Sequence, residues 1–196
     1  MPDPRIVVLA SGAGTLLQAL LDGEIRRLIV AVGSDQPEAP ALARARAADV
    51  PTFVVPMAED REVWNTDVVE HLQTHEANLV VTAGFMRILG GPVIEAFENQ
   101  IINSHPALLP SFPGAHAVRD AVESGVKVTG CTIHIIDEGV DTGPIIAQCP
   151  VPVDDGDTVE SLHERIKEQE RILLVDVLGR IVREGVSVHG RTVEFG

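Results

Sequence analysis

The chain has 196 residues, of which 45% are hydrophobic and only 3% aromatic, and its formal net charge is −14. A chain this acidic repels nucleic-acid phosphates and anionic lipids, so we expect neither a nucleic acid nor a membrane as partner. No apolar run approaches the roughly 20 residues of a membrane span. Because no signal-peptide pattern opens the sequence, we expect a cytoplasmic protein.

The first half of the sequence alternates between strand and helix patterns. The predicted strands are RIVVLASGAG (which runs into a Gly loop), RRLIVAVGS, PTFVVP, NLVVTAG and QIINSH. The predicted helices are TLLQALLD, APALARARAADV, DREVWNTDVVEHLQTHEA and PVIEAFE. This order predicts an α/β fold: a single Rossmann-like domain over residues 1–196, with a mostly parallel twisted sheet and helices on both faces.

The second half predicts a helix in AVRDAVESG, two strands in VTGCTIHII and GPIIAQCPVPV, and a long helix from about Thr158 to Glu184. A terminal hairpin is predicted around His189 and Gly190. If the two strands form a hairpin, the two cysteines of the chain, Cys131 and Cys149, come near each other. We expect unpaired thiols, because disulfides are rare in a reducing compartment and the cysteines lack metal-ligand spacing.

Ligands of open α/β sheets bind beyond the carboxyl ends of the strands, which here are followed by loops 11–15, 83–89 and 103–114. In the first loop, SGAGTLL, two glycines precede a helix, and Thr15 is predicted as its N-cap. Free N–H groups and the helix dipole favour phosphate there. A tight turn without a ligand explains the same residues about equally well.

The second loop follows a predicted strand and reads AGFMRIL. Arg87 interrupts an otherwise apolar segment. Taken alone, the pattern favours a core strand leaving the sheet, with Arg87 extending to water. The alternative is an apolar slot whose backbone groups recognise a flat heterocycle.

The third loop, INSHPALLPSFPG, carries more information. Asn103 and His105 point to the same side of a strand by alternation, and three prolines stiffen the segment that follows. Together the two side chains could donate to a developing oxyanion. The structural alternative is that Asn103 caps a turn and His105 is a buried, hydrogen-bonded histidine.

Two more segments hold candidate polar groups. IIDEGVDTGPII places Asp137, Glu138 and Asp141 in a Gly-bounded loop, where they are either solvated turn residues or a source of a carboxylate that raises the pKa of His105. In the long helix, Leu162, Ile166 and Leu173 fit an inward stripe. His163, Lys167 and Glu170 share another face, where a surface salt bridge is the simpler interpretation.

With INSHPALLPSFPG, AGFMRIL and DEGVDTGPIIAQ in this order, the chain resembles the folate-dependent formyltransferases over nearly its whole length. It is most similar to the branch that formylates glycinamide ribonucleotide, giving formylglycinamide ribonucleotide in purine biosynthesis. The resemblance implies the formyltransferase fold, small-molecule substrates with 10-formyltetrahydrofolate as co-substrate, no metal, and a homodimer.

The resemblance also implies roles for individual residues. The catalytic residues would be Asn103, His105 and Asp141. The ribonucleotide site would comprise Gly14, Thr15, Leu16, Lys167 and Glu170. The folate site would comprise Arg61, Met86, Arg87, Ile88, Leu89, Asn103, Asp137 and Val140.

Other functions rank lower on the sequence. Methionyl-tRNA formyltransferases share the catalytic loop but add a C-terminal RNA-binding domain. Formyltetrahydrofolate deformylases use water as acceptor and usually carry an N-terminal regulatory domain. The sequence offers little room for either addition. A non-catalytic nucleotide-binding module of Rossmann type would leave Asn103, His105 and Asp141 unexplained.

Overall fold

The structure is a computed structural model that describes residues 3–196. The strands are β1 (Ile6–Leu9), β2 (Ile29–Ser34), β3 (Thr52–Val54), β4 (Leu79–Thr82), β5 (Ile101–His105), β6 (Val128–Ile135), β7 (Ile145–Pro152), β8 (Val186–His189) and β9 (Thr192–Phe195). The α-helices are α1 (Thr15–Leu21), α2 (Pro40–Ala47), α3 (Arg61–Thr74), α4 (Gly91–Ala96), α5 (Ala117–Glu123) and α6 (Val159–Glu184).

The strands form a seven-stranded sheet in the order β3-β2-β1-β4-β5-β6-β7 and a two-stranded sheet of β8 and β9. Strand β1 runs parallel to β2 and β4, and β2 runs parallel to β3. Strands β6 and β7 pair antiparallel, as do β8 and β9. The predicted mostly parallel α/β fold and terminal hairpin are therefore confirmed, and the two strands that carry Cys131 and Cys149 do form a hairpin. Within residues 3–196, no helix is both long and apolar enough to cross a membrane.

The chain divides into two compact units, residues 1–102 and 103–196. The prediction of a single domain stays a prediction. In the first unit, β1 lies between two parallel neighbours, and all four of its residues are buried. This explains the unbroken apolar run IVVL, since a parallel strand covered on both faces has no solvent side. One predicted boundary was wrong: β2 starts at Ile29, because Glu24–Leu28 forms a 3-10 helix.

In the second unit, α6 packs on the β6-β7 hairpin. Its N-cap is Thr158, which exchanges hydrogen bonds with Ser161 in a capping box. Cys131 and Cys149 are direct partners across the hairpin and both are free thiols. Burial raises the pKa of Cys131 to about 12. The core of this unit consists of Val118, Cys131, Val151, Leu162 and Ile166.

Candidate active site

Strand β5 carries two of the predicted catalytic side chains. Asn103 and His105 lie two residues apart on it, so both side chains emerge on one face, as alternation predicts. Asn103 is half-buried and His105 is only 4% exposed. Asn103 contacts His134, and His105 contacts Asp141. These four residues, all in the second unit, are called the polar cluster below.

The ring of His105 lies between two acceptors. Its Nε2 is 2.8 Å from the carbonyl oxygen of Phe112, and its Nδ1 is 3.3 Å from Oδ2 of Asp141. Because a carbonyl oxygen only accepts, Nε2 donates to Phe112. Burial lowers the pKa of His105 below its ordinary value, although the Asp141 charge and the Phe112 bond act in the opposite direction. Asp141 thus raises the pKa of His105 as predicted, but the desolvation of the ring, which the prediction omitted, is the larger effect.

Asp141 joins His105 to the proline-rich loop. Its Oδ2 accepts the N–H of Gly114 at 2.7 Å. Burial raises the pKa of Asp141, but the hydrogen bond from the Gly114 N–H and the nearby His105 ring hold it below its ordinary value. Asp141 is therefore a charged carboxylate at neutral pH, as the predicted catalytic role requires.

The proline-rich loop is fixed to the β6-β7 hairpin by two polar side chains that the sequence argument did not identify. The backbone N–H of Leu109 donates to the Thr132 hydroxyl at 3.0 Å, and that hydroxyl donates to the Ala107 carbonyl at 2.6 Å. The amide of Gln148 donates to the Leu109 carbonyl at 2.8 Å. The loop is thus held by side-chain hydrogen bonds as well as by its prolines.

His134 is a further residue of the site that the sequence did not predict, because the pattern of VTGCTIHII indicates only a strand. It is buried on β6, and its Nδ1 is 2.9 Å from the Ile135 carbonyl oxygen. Its Nε2 is 3.0 Å from Nδ2 of Asn103 and 3.6 Å from Oδ1 of Asp141. A signal was present: Thr132 and His134 stand at alternate positions, whereas Cys131, Ile133 and Ile135 between and beside them are apolar, which marks one face of this part of the strand as polar.

Glu170 is buried against the opposite face of β5. It is only 4% exposed, and its Oε1 accepts the Ser104 hydroxyl at 2.6 Å. Burial raises the pKa of Glu170 above its ordinary value, against the effect of the Ser104 bond. The prediction that Glu170 shares a face with His163 and Lys167 was wrong. Glu170 lies on the buried stripe of α6 with Leu162, Ile166 and Leu174.

Lys167 follows the simpler of its two interpretations. Its Nζ is 2.8 Å from Oε1 of Glu164, three residues earlier on α6. The Glu164 side chain is mostly exposed and that of Lys167 one-third exposed, so the pair is a surface salt bridge. Such pairs contribute little to stability, and the ammonium group can change partners at low cost.

The loop after β6 separates its acidic residues into two groups. Oδ1 of Asp137 accepts the Thr142 hydroxyl at 2.6 Å and the Gly139 N–H at 3.1 Å. Val140 is 49% exposed. Asp137 thus stabilises its own turn, whereas Asp141 reaches His105. The sequence had left both possibilities open for this loop.

In the first unit, the predicted phosphate loop leads into α1. Gly14 is the N-cap residue, with φ 70° and no side-chain cap bond, so the prediction that Thr15 caps this helix was wrong. A Cβ on Gly14 would lie 2.8 Å from atoms of Ala41 in α2. The left-handed backbone and the close approach of α2 both explain this glycine. Leu16 is buried, so its side chain is not available to a ligand.

Three side chains of the first unit hold the predicted folate loop. Ser11 Oγ accepts the Met86 N–H at 2.8 Å, and Arg61 donates to the Ile88 carbonyl. Arg87 does not simply extend into water: its Nε is 2.7 Å from Oδ2 of the buried Asp35. The structure thus brings Arg61 and the loop together. It exposes Met86 and Ile88 and buries Leu89.

The sheet, the proline-rich loop and the polar cluster agree with one class of enzyme. Residues 4–178 match the family described as Formyl transferase. The chain belongs to this family.

Individual relatives refine the comparison. The chain is 51% identical to phosphoribosylglycinamide formyltransferase of Mycobacterium tuberculosis, over 98% of this chain and 91% of that protein. The crystal structure of glycinamide ribonucleotide transformylase 1 from Symbiobacterium toebii is 43% identical, with a TM-score of 0.94 over 98% of this chain and 94% of that one. A formyltetrahydrofolate deformylase from Pseudomonas syringae is 30% identical, with a TM-score of 0.91 over 98% of this chain and 66% of that one.

Proposed function

We propose that this chain transfers the formyl group of 10-formyltetrahydrofolate to the amine of glycinamide ribonucleotide in de novo purine biosynthesis. The products are formylglycinamide ribonucleotide and tetrahydrofolate. The main support is that Asn103, His105 and Asp141 lie together in the polar cluster. The chain is also 51% identical to a phosphoribosylglycinamide formyltransferase. Independence from metal, a cytoplasmic location and a homodimer stay predictions.

In the proposed reaction, the polar cluster stabilises an oxyanion. The ribonucleotide amine attacks the formyl carbon, and the formyl oxygen takes up negative charge. The Asn103 amide and the His105 imidazole supply N–H groups to that oxygen. Each well-placed donor of this kind lowers the barrier by roughly 3–4 kcal/mol.

The contacts of His105 set a condition on this role. Its Nε2–H already donates to the Phe112 carbonyl at 2.8 Å. To serve the reaction, the formyl oxygen must replace that carbonyl as the acceptor. Asp141, 3.3 Å from the other ring nitrogen, favours the protonated ring. Directly or through water, Asp141 also helps to move a proton from the attacking amine to the leaving folate nitrogen.

For the ribonucleotide, we propose that the backbone N–H groups of Gly14, Thr15 and Leu16 hold its phosphate at the start of α1. Lys167 supplies a cation after leaving Glu164. Glu170 accepts hydrogen bonds from the ribose hydroxyls.

For folate, we propose that the backbone of Met86, Arg87, Ile88 and Leu89 recognises the flat heterocycle. The exposed Met86 and Ile88 side chains supply apolar contact. The same proposal gives supporting folate contacts to Arg61, Asn103, Asp137 and Val140.

The second candidate is a deformylase, in which water takes the place of the amine. The TM-score of 0.91 with a deformylase makes this function the second candidate. It ranks below formyl transfer because the identity is 30%, against 51% for the formyltransferase. The test incubates the protein with 10-formyltetrahydrofolate, with and without glycinamide ribonucleotide, and measures tetrahydrofolate, formate and formylated ribonucleotide. We expect tetrahydrofolate and formylated ribonucleotide in equal amounts, and only when the ribonucleotide is present. Formate produced at the same rate without the ribonucleotide would identify a deformylase.

A binding experiment tests the ribonucleotide site separately. Lys167→Ala should weaken binding of glycinamide ribonucleotide by roughly 1–3 kcal/mol and leave folate binding unchanged. Lys127→Ala is the matched control, because Lys127 forms a comparable exposed pair with Asp155 at 3.2 Å. Equal losses for both substrates would remove Lys167 from the proposed site.

A further inference from the structure

The hydrogen positions on His134 follow from its neighbours. Nδ1 lies 2.9 Å from the carbonyl oxygen of Ile135, which can only accept a hydrogen bond. Nδ1 therefore carries the proton. In the neutral ring, Nε2 then has a lone pair and acts as an acceptor. The tautomer is fixed by the backbone of the same strand.

This tautomer fixes the orientation of the Asn103 amide. Nε2 of His134 is 3.0 Å from the end of that amide, and an acceptor at this distance must face the N–H₂ end. A flipped amide would set its oxygen against the Nε2 lone pair. The Asp141 oxygen, at 3.6 Å from Nε2, is too far away to compete as a hydrogen-bond partner.

We infer that His134 is a positioning residue for Asn103: as a neutral Nδ1–H tautomer, it holds the amide with its nitrogen end toward the reacting group. The second N–H of that nitrogen is then the donor to the formyl oxygen. Without His134, the amide loses the contact that selects its nitrogen end, and a flipped amide would present an oxygen that repels an oxyanion. The effect on rate rests on the proposed function, whereas the tautomer and the amide orientation do not.

The first measurement needs no substrate. Long-range proton–nitrogen NMR correlation of the ring nitrogens at pH 8 distinguishes a protonated from an unprotonated imidazole nitrogen. We expect Nδ1 of His134 to be protonated and Nε2 unprotonated in the full-length protein. The reverse tautomer, or a doubly protonated ring, would overturn the inference whether or not the protein transfers formyl groups.

The second measurement is a kinetic cycle. His134→Leu should lower kcat for formyl transfer by about 10- to 100-fold, with KM for both substrates within about threefold of wild type. His134→Gln, whose side-chain oxygen can replace Nε2 as acceptor, should recover at least half of that loss on a logarithmic scale. In an Asn103→Ala background, His134→Leu should change kcat less than about twofold, because the group that it positions is gone.

A control separates positioning from general damage to β6. Thr129 lies on the same strand, is equally buried, and its hydroxyl has no hydrogen-bond partner among the described residues. Thr129→Val should leave kcat unchanged, and thermal melts of all variants report their folding. If His134→Leu lowers kcat by the same factor with and without Asn103, His134 does not act through Asn103 and the inference is wrong. A change in KM instead of kcat would contradict it equally.

Discussion

Replacing Asp141 with Asn removes the charge beside His105 with little change in shape. Asp141 has φ 54°, in the left-handed region that Asn also tolerates. The oxygen of the new amide can still accept the Gly114 N–H, whose nitrogen is 2.7 Å from Oδ2 in the native chain. Asp141→Asn therefore tests the charge and leaves the backbone in place.

The size of the effect follows from the distance between the two groups. Nδ1 of His105 and Oδ2 of Asp141 are 3.3 Å apart. At an effective dielectric constant of about 20, opposite unit charges at this separation attract by about 5 kcal/mol. Removing the carboxylate also removes its own desolvation cost, which offsets part of that attraction. We expect a loss of about 2–4 kcal/mol of transition-state stabilisation, or roughly 30- to 1000-fold in kcat.

Two assays measure the consequence in Asp141→Asn. Steady-state kinetics should show the loss in kcat, with KM for both substrates changed by less than about threefold. An NMR titration of the His105 ring should show its pKa below that of the wild type, because Asp141 raises this pKa and burial, which lowers it, remains. Asp120→Asn, at an exposed carboxylate of α5, is the control and should change neither quantity.

An equal His105 pKa in Asp141→Asn and wild type would contradict this prediction. The two groups would then not interact in solution, and the proton route would need another carboxylate. A lowered pKa with unchanged kcat would instead show that the pair exists but does not serve the reaction.

Two further predictions concern stability. Glu170→Gln should raise the free energy of unfolding at pH 8 by about 1 kcal/mol, because burial disfavours the charged carboxylate and Gln carries no charge. The pKa of Glu170 is higher in the folded than in the unfolded state. The contribution of Glu170 to stability is therefore fully present below its unfolded-state pKa and is lost as the pH rises through its folded-state pKa. The advantage of Gln should therefore vanish in urea unfolding at pH 4, and an equal gain at both pH values would contradict this argument. Gly14→Ala should cost about 1–3 kcal/mol in thermal melts, because of φ 70° and the 2.8 Å approach to Ala41. Gly12→Ala, with no atom within 4 Å of the new Cβ, should cost much less, and equal losses would refute the steric explanation.

The sequence predicted the fold well because the spacing of apolar residues and the positions of Gly, Pro and capping residues agree along most of the chain. Unbroken apolar runs such as IVVL mark strands that have no solvent face, and the long helix predicted from about Thr158 to Glu184 is α6, Val159–Glu184. The predicted boundaries were wrong where a local sequence pattern was compatible with more than one backbone conformation. Arg26, Arg27 and Leu28 were predicted to open β2 but belong to the 3-10 helix Glu24–Leu28, and Gly14 takes the cap position predicted for Thr15.

The candidate site was predicted unevenly, for a physical reason. Alternation along a strand places Asn103 and His105 on one face without knowledge of anything else. The meeting of His105 with Asp141 depends on the path of two loops, which residue spacing cannot supply. The partners of His134 and Glu170 depend on packing between elements. The lowered pKa of His105 depends on burial, which only the folded chain defines.

Backbone strain in the second unit is concentrated around His105. Phe112 and Asp141 lie on either side of its ring, and both are left-handed, with φ 55° and 54°. That conformation costs an L-residue about 1–2 kcal/mol, and an aromatic side chain suits it less than Asp does. The hydrogen bonds from Thr132 and Gln148 to the proline-rich loop help to hold the strained path. A connection between a strand and a helix would not need such a path. An imidazole held between two acceptors does, since under the proposed function its ring must keep one orientation while the formyl carbonyl becomes an oxyanion.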